Sequence, residues 1–222
     1  MNNQIFFRLL IEIIKFFVIG NGSNLLVPDE GYNGVIIKLK SEFSTIKVED
    51  EYFFRSETKA EAYITLVDYP VSEIWNLKFV LAFYTGFSFQ IPMPNSVIGD
   101  SSKLAIDGMF VGRGWTTLGS AGRGNVLINH WIEFRWPLAH GILSFDFFVD
   151  AAAIKKDLAD LKTFKFDDYC FSFGPGLRFV IPQFPLRLMF ANTFKAENGK
   201  MKWGNGKGAD WRFVLSFSIP NL

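Results

Sequence analysis

A transmembrane antiparallel β-barrel is the fold class this sequence predicts, on three observations. Apolar and polar residues alternate with a period of two in about eight separate segments. Phenylalanine supplies 26 of the 222 residues and aromatics reach 17%, a load hard to place in a soluble core of this size. The chain is 49% apolar, yet it lacks the run of about 18 uncharged apolar residues that an ordinary spanning helix needs.

The segments follow in order. In 34–45, Val35, Ile37, Leu39 and Phe43 alternate with Lys38, Lys40, Glu42 and Ser44. In 54–66, Arg55, Glu57, Lys59 and Glu61 oppose Phe54, Ala60, Ala62, Ile64 and Leu66. Next, Leu77, Phe79, Leu81, Phe83, Phe87 and Phe89 make one face, and Lys78, Tyr84, Ser88 and Gln90 the other. Ile128, Ile132, Phe134 and Trp136 oppose Asn129, Glu133 and Arg135, and Leu143, Phe145, Phe147 and Val149 oppose Ser144, Asp146 and Asp150. Segments 169–181, 186–194 and 211–219 share this two-sided character. Each is close to the length that crosses a bilayer when tilted.

The polar face carries charges and small residues, including Gly86, Gly174 and Gly176, while Trp75, Trp136 and Trp211 sit near segment ends, where interface girdles are expected. A soluble sandwich accounts for the alternation equally well, but not for the phenylalanine content or the segment length. Connections alternate in length. Those at 69–74, 137–141 and 182–185 are short; those at 91–124, 154–168 and 196–210 are long. Outer-membrane barrels keep short turns in the periplasm and long loops outside. The 91–124 loop is too long for a simple connection, and Leu104, Ile106, Met109, Phe110 and Trp115 argue against solvated disorder.

Within that loop, Gly112-Arg113-Gly114-Trp115 resembles the Arg-Gly-aromatic signature of the sixth extracellular loop in the BamA-like (bacterial surface antigen) superfamily. Further matches fall in the family's order. They are Pro28-Asp29-Glu30-Gly31-Tyr32 before a mid-barrel strand, Ile132-Glu133-Phe134-Arg135-Trp136-Pro137 after the loop, and Phe147-Phe148-Val149-Asp150-Ala151-Ala152. Gly176-Leu177-Arg178-Phe179 with Pro182 and Pro185 resembles the penultimate hairpin, and Ser216-Phe217-Ser218-Ile219 the closing strand. The resemblance spans 28–222. It implies the C-terminal half of a 16-stranded barrel, an open half-barrel in isolation, in the bacterial outer membrane. It also implies that Arg113 folds into the lumen against the acidic residues Glu133 and Asp150. Without the resemblance, Arg113 reads as an exposed loop residue. The closing strand is expected to present Trp211, Phe213, Leu215, Phe217 and Ile219.

Departures from the pattern are also informative. Residues 1–27 match no family strand, and Gln4, Arg8, Glu12 and Lys15 recur at helical spacing, which predicts an amphipathic interfacial helix over 1–20. A truncated or displaced reading frame would account for such a start and for the missing first half-barrel and POTRA domains. The chain ends Pro220-Asn221-Leu222, without the family's terminal aromatic.

Enzyme chemistry finds little in the sequence. Gly112, Gly114 and Gly119 lack dinucleotide spacing, and 204–208 lacks the full phosphate-loop pattern. His130 and His140 make no metal pair, His130 falls among lipid-facing positions, and the single Cys170 excludes an internal disulfide or a multi-cysteine zinc site. No cofactor or metal is expected. A net charge of +1 gives no nucleic-acid footprint. The resemblance implies an assembly factor that inserts and folds client outer-membrane proteins through a lateral seam. Its partners would be the bilayer, those clients, the missing half-barrel and POTRA domains, and accessory lipoproteins. The alternative is a small eight-stranded barrel serving as anchor, adhesin or narrow channel.

Overall fold

The computed structural model describes residues 16–19, 35–48, 51–72, 75–139, 142–181, 184–204 and 208–217. Eight long or edge strands build one antiparallel sheet. They are β2 (Val35–Val48), β3 (Glu51–Ser72), β4 (Trp75–Pro92), β7 (Val126–Ala139), β8 (Leu143–Lys155), β9 (Cys170–Ile181), β10 (Phe184–Glu197) and β12 (Arg212–Phe217). Four short strands complete the set: β1 (Phe16–Ile19), β5 (Leu104–Ala105), β6 (Arg123–Gly124) and β11 (Lys200–Trp203). No described helix is long and apolar enough to cross a membrane.

Strand order follows chain order, β1-β2-β3-β4-β7-β8-β9-β10, with β11 and β12 both on the far edge of β10. Simple antiparallel neighbours are what short hairpin turns produce. The strand-end pairs Ser72–Trp75, Ala139–Leu143 and Ile181–Phe184 all lie at one end of the sheet, and the 93–122 and 156–169 loops lie at the other. β12 runs from the long-loop end toward the short-turn end, with Ala191 opposite Arg212 and Leu186 opposite Phe217. Among the described residues, β2 and β12 do not pair with each other. The sheet is therefore open, as a half-barrel is.

Alternation resolves into two distinct faces. On β12, Phe213 is 58% exposed while Val214 is 5% exposed, and Phe147 and Val149 are exposed where Phe148 and Asp150 are buried. The outward face is thus apolar, the reverse of a soluble fold and what a lipid solvent selects. Aromatics mark both margins. Trp75 donates from Nε1 to Leu138 O (3.1 Å) near the short turns, and Trp211 packs on Phe173 (5.7 Å) toward the loops.

One expectation needs correction. Of the helix predicted over 1–20, only 16–19 are described, and these form β1, which pairs in parallel with β2 from Phe16–Val35 to Ile19–Lys38. Phe-Phe-Val-Ile is an aromatic and β-branched run that suits an extended backbone, and at these four residues that local preference prevails. The rest of that segment, and Ile219 of the closing strand, lie outside the described residues. Strand lengths also exceed the sequence reading. β3 reaches 22 residues, with bulges at Thr65/Val67 and Pro70/Ser72, and exposes Leu66, Tyr69 and Val71 beyond the span a bilayer requires.

Candidate functional site

The 91–124 loop folds back against the inner face of the sheet. Its base is held first. Gln90, inward-facing on β4, donates from Nε2 to Ser102 O (2.9 Å) and accepts from Leu104 N (3.3 Å), while Arg55 on β3 also donates to Ser102 O (3.1 Å). β5 and β6 then pair the two limbs of the loop, Leu104 with Gly124 and Ala105 with Arg123. Around the polypeptide's next turn, Asp107 accepts the backbone N–H groups of Met109 (2.8 Å), Phe110 (2.7 Å) and Val111 (3.0 Å). On the exposed side of the loop, the hydrogen bond from Lys103 holds the Asp100 carboxyl below its usual range.

Gly112-Arg113-Gly114-Trp115 forms the tip. Both glycines have positive φ, +61° and +89°, a region L side chains avoid. Contact forbids a side chain as well, since a Cβ on Gly114 would stand 2.7 Å from Ala191 Cβ of β10. The glycines therefore let the backbone lie on the sheet, which points Arg113 inward. Trp115 enters an apolar cluster with Leu104, Ile106, Leu127, Ala152 and Cys170, and its Nε1 donates to Phe171 O (2.9 Å).

Arg113 is 3% exposed and meets both acidic residues named from the sequence. Nε donates to Asp150 Oδ2 (2.7 Å), Nη2 to Asp150 Oδ1, and Nη1 to Glu133 Oε1 (2.6 Å); the backbone N–H adds a bond to Asp150 Oδ2 (3.1 Å). This two-pronged contact is the one a planar guanidinium makes with a carboxylate. Its flat face lies over the Phe148 ring at 4.0 Å. Phe148 packs in turn with Met189, Ala191 and Val214.

The site is larger than the three residues the sequence singled out. Glu133 also accepts from Arg135 (2.7 Å), Arg178 (2.7 Å) and Arg187 (2.6 Å), and Asp146 accepts from Arg178 (2.8 Å) and Ser144 (3.0 Å). Four arginines thus share three buried carboxylates across β7, β8, β9, β10 and the loop. The signal was present, because counting outward from the short turns sets Arg135 opposite Asp146 and Arg178 opposite Arg187. His130, on the outward face, bonds the Tyr169 hydroxyl (3.0 Å), and Cys170 is a buried free thiol. Of the closing-strand residues, Trp211, Phe213 and Leu215 face outward, while Phe217 is described only as strand backbone.

The model of the Omp85 superfamily domain matches residues 26–219 of this chain. The chain belongs to the Omp85 superfamily. Its place is the bacterial outer membrane. A protein of Treponema pallidum named as an outer membrane protein assembly factor is 47% identical over 79% of this chain. That match spans 24% of the Treponema protein, so the chain has about a quarter of its relative's length. Partial matches also link this Omp85 chain to UDP-N-acetylenolpyruvoylglucosamine reductases. The one from Clostridium botulinum is 43% identical over 39% of the chain and 24% of the enzyme, and that from Clostridium kluyveri 34% over 40% and 25%. The Omp85 match covers far more of the chain than either reductase match does.

Proposed function

We propose that this chain is the loop-bearing, closing half of a BamA-like assembly factor, which inserts client outer-membrane proteins through a lateral seam. The observation carrying the reading is the juxtaposition of two features. The loop tip is fixed in the lumen by Arg113, and the outer edge of β12 has no strand beside it among the described residues. An unpaired edge presents a row of N–H and C=O groups that another strand can complete, and in lipid that completion is strongly favoured. Gly112, Arg113, Gly114 and Trp115 anchor the loop, Glu133 and Asp150 receive it, and β12 offers the edge. The first half-barrel, POTRA domains and accessory lipoproteins are the partners this reading implies. Residues 28–222 would form the barrel half, with 1–27 outside it. The chemistry needs neither cofactor nor covalent step, since strand addition exchanges hydrogen bonds.

The test is cross-linking in liposomes. Photo-reactive side chains at Phe213 and Leu215 on β12 should capture an added unfolded outer-membrane protein several-fold more than the same groups at Phe147 and Val149 on β8. Equal capture at both strands would sink the reading.

A further inference from the structure

The loop tip is tied to the sheet at a second place, by a residue none of the motifs above contains. Arg212 projects from the inner face of β12, and its Nη1 donates to Gly114 O (3.2 Å), Thr116 Oγ1 (3.2 Å) and Thr117 Oγ1 (3.5 Å). Its Nε faces Asp210 at 3.3 Å, which orients the fork. Gly114 directly follows Arg113, so two anchors adjacent in the chain pull on different strands. Arg113 binds acids of β7 and β8, whereas Arg212 reaches the tip from β12. Between them, the backbone of Gly114 rests on Ala191 of β10, the residue opposite Arg212 in the β10–β12 register.

Among the described residues β12 is a short strand. Its described pairing with β10 is six residues, Arg212–Phe217, against the fourteen of β10 itself. One charge-assisted contact is a sizeable part of what orders so short a strand. We infer that Arg212 is a positioning residue that couples loop docking to the pairing of β12, so that undocking of Arg113 loosens the closing strand. The proposal rests on the assembly reading only for the use to which such coupling is put; the coupling itself is a property of this chain. By linkage it is reciprocal, and disturbing β12 loosens the loop. A second route exists through packing, because Arg113 lies over Phe148 and Phe148 shares a buried cluster with Val214 of β12. The two routes differ in one respect: only the first is abolished when Arg212 loses its guanidinium.

Hydrogen–deuterium exchange of the full chain in detergent micelles tests this, with Arg113→Ala, Arg212→Ala, Arg212→Lys and the Arg113→Ala/Arg212→Ala double variant. Arg113→Ala should speed exchange of the β12 amides about tenfold, the factor expected from losing one hydrogen bond to a charged group, although the hydrogen bonds of Arg113 go to Asp150, Glu133 and Met189 rather than to β12. Arg212→Ala should do the same to β12 and to amides 108–116 of the loop. Arg212→Lys should fall between, since one ammonium can reach one of the acceptors, and Thr116→Val provides a milder cut if Arg212→Ala fails to fold. The double variant should exchange no faster at β12 than either single one. Unchanged β12 exchange when Arg113→Ala has freed the loop overturns the inference, and so do single effects that multiply in the double variant. The readout needs no client protein. Coupling without β12 cross-linking removes only the assembly reading, and cross-linking without coupling removes only this inference.

Discussion

The inner faces of β2–β3 and of β7–β10 look alike in sequence and differ in physics. On β2 and β3, charges pair along their own strands, Lys40 with Glu42 and Lys59 with Glu57 at 3.2 Å, with side chains open to solvent. Across the pair, like faces like: Lys40 stands opposite Lys59 and Glu42 opposite Glu57. Such neighbours repel mildly and are tolerated only because water screens them. On β7–β10 the loop covers the polar face, and Glu133, Asp146 and Asp150 are each at most 2% exposed. There every carboxylate takes guanidinium partners from other strands or from the loop. The same alternating pattern yields a wet wall in one place and a polar core in the other, and the difference is whether a loop lies on it.

The largest expected effect breaks the core side. Glu133→Gln leaves Arg113, Arg135, Arg178 and Arg187 facing a neutral group, and unpairing buried charge costs about 3–5 kcal/mol. Heat-modifiable mobility on gels should show the variant failing to reach, or readily losing, the folded form. Arg113→Ala comes next. It removes bonds worth about 1.5–3 kcal/mol each, part of which relaxation recovers. Limited proteolysis should then cut within 107–118, while 101–106 stays protected by Gln90 and Arg55. Arg113→Lys should rescue poorly, and Asp150→Asn combined with Arg113→Ala should be less than additive.

Gly114→Ala is smaller. It combines a positive φ with a 2.7 Å approach to Ala191, a strain of about 1–3 kcal/mol that should lower thermal stability without exposing the buried acids. Glu57→Gln sits at the far end of the scale, below about 1 kcal/mol by thermal unfolding in detergent, because its pair is partly exposed. A Glu57→Gln cost equal to that of Glu133→Gln would show that both walls are buried and would erase the contrast.

Period-two alternation located all eight main strands, since lipid on one side and lumen on the other impose it residue by residue. It could not give their ends: β3 continues from Leu66 to Ser72 because pairing outlasts the bilayer. The two-residue strands β5 and β6 were invisible, as so short a pairing leaves no pattern. At the site, periodicity put Glu133 and Asp150 on the polar face, and the family resemblance paired them with Arg113. Asp146, Arg178 and Arg187 lay on the correct face, but the convergence of the two arginines on Glu133 and Asp146 depends on how four strands stack. Residues 16–19 misled because helical spacing of flanking polar residues says nothing about an apolar run that pairs with a strand.

The cluster beneath Trp115 has a practical consequence. Cys170 is the only cysteine in the chain, and it lies 4% exposed under the docked loop, against Trp115 and Leu104. A thiol so placed is shielded from any reagent larger than water until the loop lifts. Its rate of alkylation therefore clocks how often the lid opens. The molecule carries its own chemical reporter of that motion, with no label to engineer.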